Sequence, residues 1–213
     1  MTATGFEFHC PTKIICGRDA LDKLPVELQS QGMAHPLVMT DAGLVKLGVA
    51  AKLTNVLDAA GVAYDVFDQV PPDSSMDVVN EVAHLYQQRG CDGFVALGGG
   101  SVIDTTKGAA ASLACEGVDF ATLQGSEILK ADLPPLIAVP TTAGTGSETT
   151  IAAVVTGSDH HKYAISDLCL IPRYAILDPA LTVGLPPHIT AETGMDALTH
   201  AVEAYLSRFY NTK

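Results

Sequence analysis

Basic residues are scarce in this chain: 12 Lys and Arg stand against 24 Asp and Glu, for a formal net charge of −12. Nucleic acids and anionic membranes are held by clustered Lys and Arg, so neither is expected as a partner. A dinucleotide is not excluded, because backbone N–H groups and a helix dipole can hold its phosphates. Cysteine is also sparse. Cys10, Cys16, Cys91, Cys115 and Cys169 are odd in number and scattered, with no C-x-x-C pair. A disulfide framework is therefore not expected, and a reducing cytoplasm is the natural compartment. No apolar run approaches the roughly 18 residues of a membrane span, and the opening segment lacks the basic and apolar regions of a signal peptide. No G-x-S-x-G or other nucleophile arrangement occurs. The expectation is a soluble cytoplasmic protein.

What is present is a core. The 213 residues are 47% apolar and only 17% charged, which marks a well-packed globular chain of one domain or one and a half. Short apolar runs alternate with amphipathic stretches. Strands are predicted at 36–41, 63–67, 93–97 and 136–139, with helices at 44–60, 76–88 and 102–114. Gly61 and Gly90 suit C-terminal stops, and Ser74 or Ser75 an N-cap. Unbroken apolar strands separated by helices imply an α/β fold, a Rossmann-like parallel sheet covered on both faces. Further strands at 152–155 and 174–177 are predicted, the first making an antiparallel excursion through Asp159-His160-His161. After Asp178-Pro179 the pattern turns helical. A boundary near residue 182 divides a dinucleotide-binding domain, 1–182, from the start of an all-helical one, 183–213.

In an open parallel sheet the ligand sits beyond the carboxyl ends of the strands. Three such ends carry suitable chemistry. Gly98-Gly99-Gly100-Ser101 joins a strand to a helix. Three missing Cβ atoms let backbone approach a pyrophosphate, Ser101 suits an N-cap, and Asp104 lies where it could accept from a ribose hydroxyl. The turn is equally readable as a tight strand-to-helix connection, and it lacks G-x-G-x-x-G spacing. Asp41 ends the first strand. It either reads an adenosine ribose, favouring NAD over NADP, or caps the next helix. Pro140-Thr141-Thr142-Ala143-Gly144-Thr145-Gly146-Ser147-Glu148 follows a buried strand and offers hydroxyl donors to a ligand. His9, His35, His84 and His188 have no partner at ligand spacing, and Cys91 and Cys115 look like core cysteines.

Asp196 and His200 are one helical turn apart, about 40° around the axis, so one cation could touch both. Met195, Leu198, Val202 and Leu206 form a stripe beside them, and Ala197, Ala201 and Ala204 fill much of the rest. A helix apolar or small nearly all round is expected to be buried, and a buried carboxylate and imidazole need a partner such as a metal. The pair is also readable as an ordinary i,i+4 helix contact.

Taken in order, these segments resemble one family, the iron-containing (group III) alcohol dehydrogenases. The matching stretches are Gly98 to Asp104 with Lys107, Pro140 to Glu148, Asp178-Pro-Ala-Leu-Thr182 and Gly194 to Tyr205. The resemblance implies NAD(H) as cofactor, with Fe²⁺ or Zn²⁺, and a small alcohol or aldehyde as substrate. By position, Gly98, Gly99, Gly100, Ser101 and Asp104 would hold pyrophosphate and ribose. Thr141, Thr142, Thr145 and Ser147 would line the phosphate and nicotinamide side. Lys162 would approach the nicotinamide ribose and Asp41 the adenosine ribose. Asp196 and His200 would be two metal ligands, with two further histidines expected after Lys213. The chain is thus expected to be the first half of such an enzyme, with little turnover alone and possible homo-oligomerisation. Rival readings are a catalytically inactive dinucleotide-binding or assembly module, and a relative of glycerol dehydrogenase or dehydroquinate synthase.

Overall fold

The computed structural model describes residues 9–115, 120–123, 125–126, 129 and 132–207. Its strands are β1 (Lys13–Cys16), β2 (Leu37–Met39), β3 (Asp65–Phe67), β4 (Phe94–Gly98), β5 (Gly125–Ser126), β6 (Leu136–Pro140), β7 (Ala152–Thr156), β8 (Lys162–Ser166) and β9 (Tyr174–Leu177). Its helices are α1 (Leu24–Ser30), α2 (Ala42–Lys46), α3 (Val49–Ala59), α4 (Met76–Arg89), α5 (Gly100–Ala114) and α6 (Pro187–Leu206). Six strands form one sheet in the order β1-β9-β6-β4-β2-β3. Every pairing in it is parallel.

Period-two alternation decides the layers. Val38, Val95, Leu97, Ile137 and Val139 face one cluster, with Leu24, Leu28, Leu53 and Leu57 from α1 and α3. Leu37, Met39, Phe94, Ala96 and Ala138 face the other, against Val82 of α4 and Ile103 and Ala109 of α5. Central strands buried on both faces cannot alternate polar with apolar, which is why they read as continuous apolar runs. Truncating fully buried Phe94 to Ala would cost about 3–5 kcal/mol. The second sheet, β5-β8-β7, pairs β7 with β8 antiparallel through the predicted hairpin. Ala153, Val155 and Ile165 seal it against Val79 and Ala111.

The sheet reverses direction between β2 and β4. From β2 the chain steps outward to β3, then returns to β4 on the other side of β2 and proceeds to β6 and β9. That reversal opens a crevice at the carboxyl ends of β2 and β4, where Asp41 and Gly99 stand.

Several elements differ from the sequence-based expectation. The helix expected over 44–60 is two helices, because Gly48 adopts φ +72 and breaks the ladder between α2 and α3. Strand β1 escaped prediction; it is short and only its backbone register to β9 gives it away. Helix α6, expected to be buried, has no buried residue. Met195, Leu198, Val202 and Leu206 are all exposed, because no described element covers that stripe. The expected helical segment 183–213 lies outside the described residues from 208 onward. Among the described residues, no helix is long and apolar enough to cross a membrane.

Candidate functional site: a cleft at the strand reversal

A cleft of about 820 Å³ occupies the reversal point. Asp41, Gly99, Gly100, Ser101, Thr141, Thr142 and Thr145 all line it. The glycine turn is fixed by its neighbours. Gly98 pairs with Pro140, and Thr141 N–H donates to Gly98 O at 3.0 Å. A Cβ on Gly100 would lie 2.8 Å from Thr145 Cγ2, and one on Gly99 3.2 Å from Thr142 Oγ1. The threonine loop therefore closes onto the glycine turn only because no side chain intervenes.

Helix α5 begins with Gly99 as its N-cap rather than Ser101. Ser101 stands in the first turn, and its hydroxyl donates to Pro72 O on the facing wall. The N-cap makes no side-chain hydrogen bond, so the first N–H groups and the positive end of the 15-residue helix face the cleft unoccupied by side chains. Asp41 caps the next helix, one of the two roles the sequence allowed, and it also borders the cleft. Its Oδ1 accepts from Leu44 N–H at 2.9 Å, capping α2, while the residue lines the cleft. Among the described residues no Lys or Arg lines the cleft; the charged ones that do are Asp41 and Glu192.

The other expected cofactor residues lie elsewhere. Gly98 is buried in β4, where a Cβ would strike Val102 Cγ2 at 2.4 Å. Asp104 does not reach the cleft, because its carboxylate is already engaged. Oδ1 accepts from Ser147 Oγ at 2.5 Å and Oδ2 from Val154 N–H at 3.2 Å. Burial raises its pKa above the usual carboxylate range. Ser147 is buried in that bond, so it too is a brace rather than part of the lining. Lys162 sits exposed at the start of β8, outside the lining.

Lys107 is the chemically important residue that the sequence marked without assigning a role. It is 1% exposed, and its Nζ donates to Thr150 O at 2.9 Å, Thr150 Oγ1 at 3.1 Å and Ala152 O at 2.9 Å. Burial lowers its pKa to about 8 against the partial support of Asp104 and Glu148. Lys107, Asp104 and Ser147 thus form a buried brace that ties the loop after β6 to α5. The sequence also missed the far wall of the cleft. Val70, Pro71 and Pro72 form one part, and Leu185 with His188, Ile189 and Thr193 of α6 another. Thr193 approaches Gly144 so closely that a Cβ there would lie 2.6 Å from its carbonyl oxygen.

Asp196 and His200 lie further along α6. His200 Nε2 is 3.7 Å from Asp196 Oδ1, and the side chains are 53% and 41% exposed. Two ligands each about 2.1 Å from one tetrahedral cation are roughly 3.4 Å apart, so the pair fits a shared divalent metal with little adjustment.

A parallel sheet with a glycine turn and helix N-terminus at its reversal point defines a Rossmann-like nucleotide-binding fold. Comparison with known proteins is more specific: residues 11–179 match the family model for iron-containing alcohol dehydrogenase, and the chain belongs to that family. Choline dehydrogenase of Bacillus subtilis is 39% identical over 205 residues, covering 95% of this chain and 51% of the relative. The crystal structure of a 1,3-propanediol oxidoreductase superposes with a TM-score of 0.92 at 38% identity, over 97% of this chain and 54% of that one. Sulfoacetaldehyde reductase from Bifidobacterium kashiwanohense, solved in complex with NAD⁺, gives 0.85 at 32% identity, over 97% and 55%. The chain spans about half the length of the curated relatives it matches.

Proposed function

We propose that this chain supplies the NAD(H)-binding domain and two metal ligands of a metal-dependent alcohol dehydrogenase or aldehyde reductase. The observation that carries the reading is the cleft: bare helix N–H groups, a glycine turn and threonine hydroxyls converge where a dinucleotide's phosphates would lie. Asp41 faces the same space and would accept from an adenosine ribose while repelling a 2′-phosphate, which favours NAD over NADP. The NAD⁺ complex of the sulfoacetaldehyde reductase supports the same cofactor. A nicotinamide cofactor supplies hydride transfer, and a divalent metal held by Asp196 and His200 supplies Lewis acidity toward an alcohol or carbonyl oxygen. Fe²⁺ follows from the family's name, and the mixed Asp/His donor pair accepts Zn²⁺ as well. The residues of this chain bind and orient: α5 and the threonine loop hold the dinucleotide, and α6 opens a helical domain that carries the metal pair beside it. Two protein ligands do not complete a metal's shell, so the whole protein must bring further donors.

The test is direct titration. NADH fluorescence with the 1–213 chain should show saturable binding, weaker with NADPH. Absence of NADH binding to a folded chain would sink the reading. Binding without alcohol-dependent NADH production by the whole protein would favour a module without chemistry.

A further inference from the structure

At the amino edge of the main sheet, opposite the cleft, three chemically unlike ligand groups meet. His35 precedes β2, Asp65 opens β3 and Cys91 precedes β4. One donor atom from each lies within 4.8 Å of the others. Sequence spacing concealed this, since 30 and 26 residues separate them and only the parallel register brings them together.

Rigid backbone fixes the cluster. Asp65 N–H donates to Pro36 O at 3.2 Å, and Asp92 N–H to His35 O at 3.1 Å. The Asp92 carboxylate accepts from Ala34 N–H at 2.6 Å and His35 N–H at 3.0 Å. Cys91 follows Gly90, whose φ of +65 ends α4, and Cys91 N–H donates back to Tyr86 O at 3.1 Å. The donors therefore stand on strand ends and a helix cap, where their separations are held.

We propose that His35, Asp65 and Cys91 form a binding site for one thiophilic divalent cation of the Zn²⁺ class. Imidazole nitrogen, carboxylate oxygen and thiolate sulfur are the donors Zn²⁺ takes, whereas Mg²⁺ and Ca²⁺ require oxygen. Three protein ligands leave the fourth tetrahedral position to water. His35 Nε2 lies 2.9 Å from Asp65 Oδ2, so the cation enters where these two now share a proton. Arg89 sits 3.7 Å from the other oxygen, Oδ1, and orients the carboxylate without occupying the coordinating atom. Loading releases the Cys91 thiol proton to solvent, and the neutral His35 imidazole coordinates through Nε2 with its one N–H proton on Nδ1. The thiolate and Asp65 then balance the two positive charges, and Asp92 balances Arg89. Burial, followed by Asp65 and Asp92, pushes the thiol to about 11, so the empty site keeps its proton and the cation binds in competition with it. A bound cation would clamp the starts of the strands whose other ends carry Asp41 and the glycine turn.

Cobalt(II) tests this in the full chain. One cobalt per chain should produce a thiolate-to-cobalt charge-transfer band, which zinc then removes, and zinc should raise the unfolding temperature. Asp196 and His200 contain no sulfur, so a metal bound there contributes nothing to that band. Cys91→Ser should abolish the band and His35→Gln weaken it, while Cys169→Ser retains it. The unmutated chain decides even if a variant misfolds: no charge-transfer band at saturating cobalt overturns the site. Persistence of the band in a folded Cys91→Ser chain overturns it equally.

Discussion

Lys107 Nζ lies 2.9 Å from the carbonyl oxygen of Thr150, joining the most buried charge of α5 to the end of the loop that roofs the cleft. Replacing it with Met leaves the carbonyls of Thr150, at the loop's end, and Ala152, the first residue of β7, without the lysine donor, and loss of a hydrogen bond to a charged group costs about 1.5–3 kcal/mol. Lys107→Met is expected to weaken NADH binding several-fold by fluorescence titration, with faster hydrogen exchange confined to residues 141–152.

The same lysine sets a pH dependence. Its pKa in the folded chain, about 8, is below the ordinary 10.5, so the unfolded chain binds more protons between those values. Stability therefore rises with pH through this window as the desolvated charge is lost. Relative to Lys107→Met, the unmutated chain should gain about 2 kcal/mol between pH 7 and 9.5 in urea unfolding. A constant difference across that range would contradict the burial of the charge.

Substitution separates the Asp41 cap from the proposed discrimination between NADH and NADPH. Asp41→Ala should lose about 1 kcal/mol of stability with the α2 cap and also admit NADPH. Asp41→Ser keeps a capping oxygen, so its unfolding temperature should stay close to the parent while discrimination against NADPH still falls.

At Gly144 the obstacle is backbone. A methyl group would lie 2.6 Å from Thr193 O, which cannot rotate away. Gly144→Ala is expected to push the start of α6 off the loop, read as raised hydrogen exchange at 187–193 and weaker cofactor binding. Gly100→Ala meets the movable Thr145 side chain instead, so it should lower cofactor affinity with a smaller loss of stability.

His200 is exposed and Asp196 partly so, and their mutual contact is at 3.7 Å, so Asp196→Ala and His200→Ala should each leave stability within about 0.5 kcal/mol while abolishing metal binding on α6 by calorimetry. A large destabilisation would assign the pair a structural role.

The layers were legible in the sequence because burial on both faces leaves an unbroken apolar signature, as in Phe94-Val-Ala-Leu97. The glycine turn and Asp41 were legible for a related reason, since both sit where a strand signal ends. The direction of Asp104 and Ser147 was not legible, because a motif gives order along the chain and not direction. Only the fold shows that Asp104 turns toward β7 and the loop rather than toward the cleft. The role of Lys107 was hidden likewise, for its acceptors are 43 and 45 residues away. Spacing leaves His35 without a partner and composition marks Cys91 as a core cysteine, and neither signal registers neighbours created by parallel strands. Helix α6 misled because an apolar surround records what a helix is suited to meet, and no described element meets it.

That no described Lys or Arg lines the cleft has a kinetic consequence. A dinucleotide carries negative charge into a chain of net −12, with Asp41 and Glu192 in the cleft lining and short-range N–H groups and threonine hydroxyls to receive it. The long-range field opposes the encounter, and the attraction begins within hydrogen-bond distance. Added salt should therefore speed cofactor association, the reverse of what a lysine-lined phosphate site shows.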